Sequence, residues 1–362
     1  MSTEGHSLGF GTFLHGGERH LGFRSGDDVV DLGPGSLDEL LPQGRAVWER
    51  ATEDALAAAE TGNRSLPADA VESLLPFTVA DYVDFYSSLE HATNLGRMFR
   101  PDAEPLLPNW RHLPVGYHGR AGTVVVGGTP VRRPRGHVLP PGADAPAFGP
   151  STRLDIELEL GFVVGVPSTL GEPVQTSAFR EHVFGVVLVN DWSARDIQAW
   201  EYVPLGPFLG KSFATSISAW VTPLALLEDQ WVPSPRQEPE PLASLRVEGD
   251  WALDLSLEVE LNGTVISRGN ARGLYWTMPQ QLAHVTSNGA SVRTGDLMAS
   301  GTISGAERGS EGSLIKLTRN GQEPLRFDNG EERTFLEDGD EVVLRGDPLG
   351  EVRGQVEPAP AA

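Results

Sequence analysis

Residues 183–189 read Val-Phe-Gly-Val-Val-Leu-Val, an almost unbroken apolar run of seven. That length and composition predict a strand covered on both faces, and no apolar run in the chain approaches the roughly 20 residues a membrane helix needs. Similar short runs recur at 123–126, 156–166, 255–261, 314–318 and 341–344, and 42 Gly and 28 Pro break the chain between them. A mainly β architecture with few helices is the expectation. Ahead of the Leu75-Pro76 step the texture differs. Partly alternating runs at 9–13, 20–23 and 29–32 are separated by Gly-rich turns, and an Ala-rich helix is predicted over 45–60, closed by Gly62. This predicts a small β domain over 1–76, a second domain over 77–355 and a frayed Pro/Ala tail over 356–362.

The formal charge of −22 argues against nucleic acid and anionic membranes as partners, since the long-range field repels polyanions and no basic stripe offsets it. An anionic substrate must therefore meet a locally positive pocket. Cysteine is absent, which removes disulfides, thiolate metal sites and a cysteine nucleophile. The first ten residues lack the basic flank and apolar stretch of a signal peptide, so a cytoplasmic home is expected. Of the 28 basic residues only Lys211 and Lys316 are lysines. Both are chance survivors, or each marks a place where a compact ammonium is needed instead of a planar guanidinium.

Strict alternation in Leu154-Asp155-Ile156-Glu157-Leu158-Glu159-Leu160 puts three carboxylates on one face of a strand and three aliphatic side chains on the other. The carboxylates form either a solvated face or a site for a hard divalent cation. Asp191 sits at the exit of the buried run, one residue after Asn190. A short helix over 193–202 then places Arg195, Gln198 and Tyr202 on one face, and Lys211 follows glycine in an otherwise apolar loop. Farther upstream, residues 81–94 gather carboxylates, phenols and His91. Histidine is the usual base near neutral pH, but His112, His118, His137 and His284 are equally available, and spacing does not choose among them.

Longer strings do choose. Asp84-Phe85-Tyr86-Ser87-Ser88 with His91-Ala92-Thr93-Asn94, Leu107-Pro108-Asn109-Trp110 and Leu113-Pro114-Val115-Gly116-Tyr117-His118-Gly119-Arg120 resemble the fumarylacetoacetase family. So do Asn190-Asp191-Trp192-Ser193-Ala194-Arg195-Asp196, residues 200–213, Tyr275-Trp276-Thr277-Met278 and Ala299-Ser300-Gly301-Thr302-Ile303-Ser304-Gly305. The resemblance implies a small SH3-like β-barrel domain followed by a β-roll catalytic domain with few helices, and a homodimer. It implies metal-dependent hydrolysis of the carbon-carbon bond of 4-fumarylacetoacetate to fumarate and acetoacetate, the last step of tyrosine and phenylalanine catabolism. By the same resemblance Asp84, Glu157, Glu159 and Asp191 ligate Ca²⁺ or Mg²⁺, with Lys211 and Thr215 close by. His91 is the base that activates water. Arg195, Gln198 and Lys211 stabilise developing negative charge, and Tyr86, Arg100, Tyr117, Gln198, Tyr202 and Thr302 contact the small dianionic diketo acid.

At one position the chain departs from that pattern. The family pairs its catalytic histidine with a glutamate in the strand after the Gly-Thr-Ile-Ser-Gly turn, and counting from Gly305 puts Lys316 there. An ammonium in that place depresses the imidazole pKa where a carboxylate would raise it. Three alternatives follow: Glu307 or Glu311 substitutes from the turn, the pairing is shifted, or the base is weaker. The competing readings are a hydrolase of the same superfamily acting on another 1,3-diketo or 2-oxo acid, and a cation-binding protein without catalysis.

Overall fold

A computed structural model describes residues 7–99 and 102–361. Its centre is an eight-stranded sheet. The strands run in the order Gly116–His118, Tyr82–Phe85, Leu297–Ala299, Leu158–Val164, Val183–Asp191, Thr215–Ile217, Val124–Val126, with Thr222–Pro223 also paired to Val183–Asp191. The predicted apolar strand is the middle of this sheet, and both its faces are covered. Val186 and Leu188 join one core, while Phe184, Val187 and Val189 join another.

The first of these cores lies against a second, five-stranded sheet made of Thr264–Asn270, Ser256–Leu261, Glu341–Gly346, Gly350–Glu357 and Val131–Arg132. Leu160, Phe162 and Leu188 meet Leu257, Val259, Leu344 and Val352 there. The other core lies against the amino-terminal part of the chain, a five-stranded sheet ordered Ser65–Pro67, Asp28–Pro34, Glu18–Ser25, Leu8–His15, Glu72–Ser73. Phe10 stacks edge-on against Phe23 and reaches Phe184, and a backbone bridge joins Phe10 to Val221. The predicted Ala-rich helix is Arg45–Thr61, and Gly62 closes it with φ at 63°, a left-handed turn that glycine takes freely.

Two local expectations are corrected. Residues 314–318 are not a strand: Leu314–Leu317 is a short helix whose first N–H groups are held by Asp155, at 2.6 Å from Leu314 and 3.1 Å from Ile315. The alternating stretch is not one strand either, because Leu154–Asp155 pairs with Ser193–Ala194 and a separate strand, Leu158–Val164, begins after Glu157.

Candidate active site

Register brings four carboxylates together. Asp84 leaves the strand Tyr82–Phe85 opposite Ala299, which lies opposite Gly161 two residues beyond Glu159. Glu159 in turn faces Val189, two residues before Asp191. One oxygen each from Asp84, Glu157, Glu159 and Asp191 lies within 4.8 Å of the others, and all four residues are buried. The solvated-face reading therefore fails: the aliphatic face enters the core as expected, and the acidic face is buried too.

Like charges in a dry place must be balanced. Burial first, then the charge of Asp191, pushes Asp84 well above the usual carboxylate range, and burial with Asp84 does the same to Glu159. Glu157 differs, since Lys211 and Arg195 outweigh the burial and hold it well below that range. The Lys211 ammonium donates to Glu157 Oε2 and, at 2.6 Å, to Asp191 Oδ2. Thr215 and Tyr117 hydroxyls also donate to Asp191, at 3.1 and 3.0 Å. Gly301 N–H reaches Glu159 Oε2 at 3.0 Å. What remains is Asp84 Oδ1 and Glu159 Oε1, both buried without a hydrogen-bond partner among the described residues. Two orphaned hard oxygens beside two further carboxylates fit a divalent cation, in donor type and in the charge it would balance.

Arg195 opens the short helix Arg195–Glu201 and is clamped. Its guanidinium donates to Asp155 at 2.8 Å, pairs with Glu157 at 2.8 Å and donates to Gln198 Oε1 at 3.1 Å. Burial works against the guanidinium, but Glu157 and Asp155 outweigh it and strengthen its charge. Asp155, the outermost of the three alternating acids, is thus no member of the quartet. It holds Arg195 on one side and the Leu314–Leu317 helix on the other. Sequence reasoning missed this role, and the only available signal was its place in the alternating stretch.

His91 lies in the first turn of the helix Leu89–Phe99, its N–H capped by Ser88 Oγ at 3.2 Å. The ring is buried, stands edge-on to Tyr86 at 5.4 Å, and leaves Nδ1 without a hydrogen-bond partner among the described residues. Burial, and next the charge of Lys316, hold the imidazole well below its ordinary pKa. Lys316 is itself 3% exposed. Burial pushes its ammonium down to about 8, against Glu311, Glu90 and Glu157. Neither Glu307 nor Glu311 makes a described hydrogen bond to His91. Glu311 accepts instead from Gly309 N–H at 2.6 Å, and the carboxylate whose charge reaches the imidazole is Glu157.

A cavity of about 300 Å³ opens onto Asp191 and Lys211, walled by Tyr82, Tyr117, His118 and Arg120. Tyr82, unassigned from sequence, is buried beneath it. Thr302 is buried next to Gly301, and its hydroxyl has no hydrogen-bond partner among the described residues. Tyr202 stands exposed at the end of its helix, and Arg100 lies outside the described residues.

The family model for the C-terminal region of fumarylacetoacetate (FAA) hydrolase matches residues 81–357. Fumarylacetoacetase of Rattus norvegicus is 48% identical over 334 residues, covering 87% of this chain and 80% of that protein. Fumarylacetoacetase of Homo sapiens is 43% identical over 380 residues, covering 94% and 91%, and that of Arabidopsis thaliana 45% over 352, covering 90% and 83%. Among solved structures, fumarylacetoacetate hydrolase from psychrophilic Exiguobacterium antarcticum superposes with a TM-score of 0.60 at 19% identity, covering 97% of this chain and all of that one. Maleylpyruvate hydrolase from Sphingobium superposes at 0.59 with 16% identity, covering 97% and 100%. Those two likenesses show the fold alone. With the matched region holding the whole carboxylate quartet, His91, Arg195 and Lys211, the chain belongs to the fumarylacetoacetase family.

Proposed function

We propose that the chain hydrolyses the carbon-carbon bond of 4-fumarylacetoacetate, releasing fumarate and acetoacetate. The observation that carries this reading is the buried carboxylate quartet with Lys211 spanning two of its members, in a chain 43–48% identical to proteins named for that reaction. Asp84, Glu157, Glu159 and Asp191 would hold the divalent cation, Ca²⁺ or Mg²⁺ by the all-oxygen donor set. When bound, it supplies Lewis-acid polarisation of the 1,3-dicarbonyl and orients it.

The side chains do the rest. His91, kept neutral by burial, takes the proton of the water that attacks the ketone. The carbon-carbon bond then breaks, its electron pair passing to the carbon beside the second carbonyl as an enolate. The proton taken by His91 returns to that carbon to give acetoacetate, and the attacked carbonyl carbon leaves as the new carboxyl group of fumarate. Lys211 and Arg195 are fixed positive charges for that electron density, already oriented by the carboxylates that hold them. Gln198 is positioned by its bond to Arg195. Tyr86, Tyr117, Tyr202, Thr302 and Arg100 are the proposed contacts for the substrate's carboxylates and carbonyls, the locally positive pocket that an acidic chain requires.

We also infer a homodimer. Trp200, Tyr202, Val203, Leu205, Phe208 and Leu209 are all exposed within ten residues, an apolar patch of the kind that a partner covers. Residues 1–76, with their five-stranded sheet, are proposed as the family's SH3-like amino-terminal domain, and the cytoplasm as the location. No helix among the described residues is long and apolar enough to cross a membrane. Decay of the diketone absorbance of fumarylacetoacetate tests the function. Turnover should vanish with chelator, return with Ca²⁺ or Mg²⁺, and be lost in Asp191→Asn. Full turnover in metal-stripped protein would end the cation reading.

A further inference from the structure

A second cavity, of about 460 Å³, opens between the helix Leu89–Phe99 and residues 306–322. Its wall includes Arg97, Met98, Arg308, Glu311, Lys316 and Arg319. Four cations against one carboxylate is an uncommon local balance in a chain of net charge −22. The acids around them do not cancel it. Arg308 and Arg319 share a single partner, Glu323, at 2.8 and 2.9 Å, and Arg97 has no ion-pair partner among the described residues. Glu90, near enough to act on Lys316 by charge, makes no described ion pair with any of the four.

A cluster of exposed arginines is most simply a solvated surface. Lys316 is the observation that this explanation leaves out. It lines the cavity at 3% exposure, on the short helix that Asp155 caps, and its ammonium has no hydrogen-bond partner among the described residues. A buried donor with three N–H groups and no acceptor is costly unless an acceptor arrives. The neighbouring Glu311 spends its Oε2 on Gly309 N–H and makes no hydrogen bond to Lys316 among the described residues.

We propose that this cavity binds a small oxyanion, a carboxylate or inorganic phosphate, with Lys316 as its buried contact and Arg97 and Arg308 at its rim. The division of labour suits the side chains. A compact ammonium serves at the closed end, where a point charge fits, and guanidinium forks serve at the open end, where two oxygens can be met together. Because the charge of Lys316 also reaches His91, an anion held here is felt at the base. None of the four quartet residues lines this cavity, although the charge of Glu157 reaches Lys316.

Calorimetric titration of the intact Mg²⁺-loaded chain, with inorganic phosphate and separately with fumarate, tests this. Binding of either anion is expected, weakened roughly tenfold or more in Arg97→Glu and in Lys316→Met, as expected when a charged hydrogen bond is lost. Arg97 is exposed and outside the catalytic cluster, so Arg97→Glu should fold and keep its basal turnover. Fumarate competing with phosphate identifies a product carboxylate as the occupant. Phosphate binding alone identifies the inorganic ion. Either result upholds the site. No binding at tens of millimolar anion overturns it, as does binding indifferent to both variants but lost in Asp84→Asn, which would place the anion at the carboxylate quartet.

Discussion

Lys211 donates to Glu157 and Asp191 at once, and the two carboxylates raise its ammonium above lysine's ordinary range although burial works against it. A planar guanidinium does not present the same point charge between two carboxylates, so Lys211→Arg should lower kcat roughly 10²-fold, comparable to removing one preorganised donor. Steady-state rates check this, and near-normal kcat would make Lys211 a bystander. His91 is the other residue on which the proposed chemistry turns. Its depressed pKa means that the deprotonated, active form persists below the ordinary value of 6.5. The rising limb of kcat/KM against pH should therefore lie on the acid side of that value. Lys316→Glu removes a charge that disfavours the imidazolium and adds one that favours it, so the limb should move to higher pH. His91→Ala should lose roughly 10²-fold or more, the lower end of what a positioned base supplies. An unmoved limb in Lys316→Glu would detach Lys316 from the base.

At the scale of elements, the site is a product of strand register. Asp84, Glu159 and Asp191 come from three strands of one sheet, and a slip of one residue in any of them would turn its carboxylate to the opposite face. The turn after Leu297–Ala299 is equally constrained. Gly301 adopts φ of 77° so that its N–H meets Glu159, and a Cβ there would lie 2.3 Å from the carbonyl oxygen of Phe85. Gly301→Ala should cost about 1–3 kcal/mol in backbone strain and weaken cation binding together. Thermal melts with and without Ca²⁺ would show both losses, whereas a wild-type cation response would mean that the Glu159 carboxylate holds its place without this bond.

For the whole molecule, the cores are continuous across the boundary near residue 76. Phe10, Phe23, Val30 and Trp48 belong to the same buried cluster as Phe184, Val187, Val189 and Val221. Removing residues 1–76 uncovers one face of the central strand, so the truncated chain should aggregate or melt far below the intact protein. The intact chain should unfold in a single cooperative transition by calorimetry. Two resolved transitions would show that the shared core does not couple the units.

Periodicity alone located the middle strand, the aliphatic core face of residues 154–160 and the helix ending at Gly62, because each is a pattern of side chains along a local repeat. The carboxylate quartet was half visible. Alternation placed Glu157 and Glu159 on one face, but whether that face met water or other acids depended on partners more than 70 residues upstream and 30 residues downstream. Residues 314–318 show the same limit. Their apolar run is too short for periodicity to distinguish strand from helix, and the deciding interaction is the carboxylate of Asp155, 159 residues earlier, capping N–H groups that a strand would have paired elsewhere. Local sequence thus determined which faces are apolar. Only the tertiary structure decided which charges meet in the dark between those faces, since burial and neighbouring charge are properties of the packed chain and set whether a carboxylate ligates, clamps or caps.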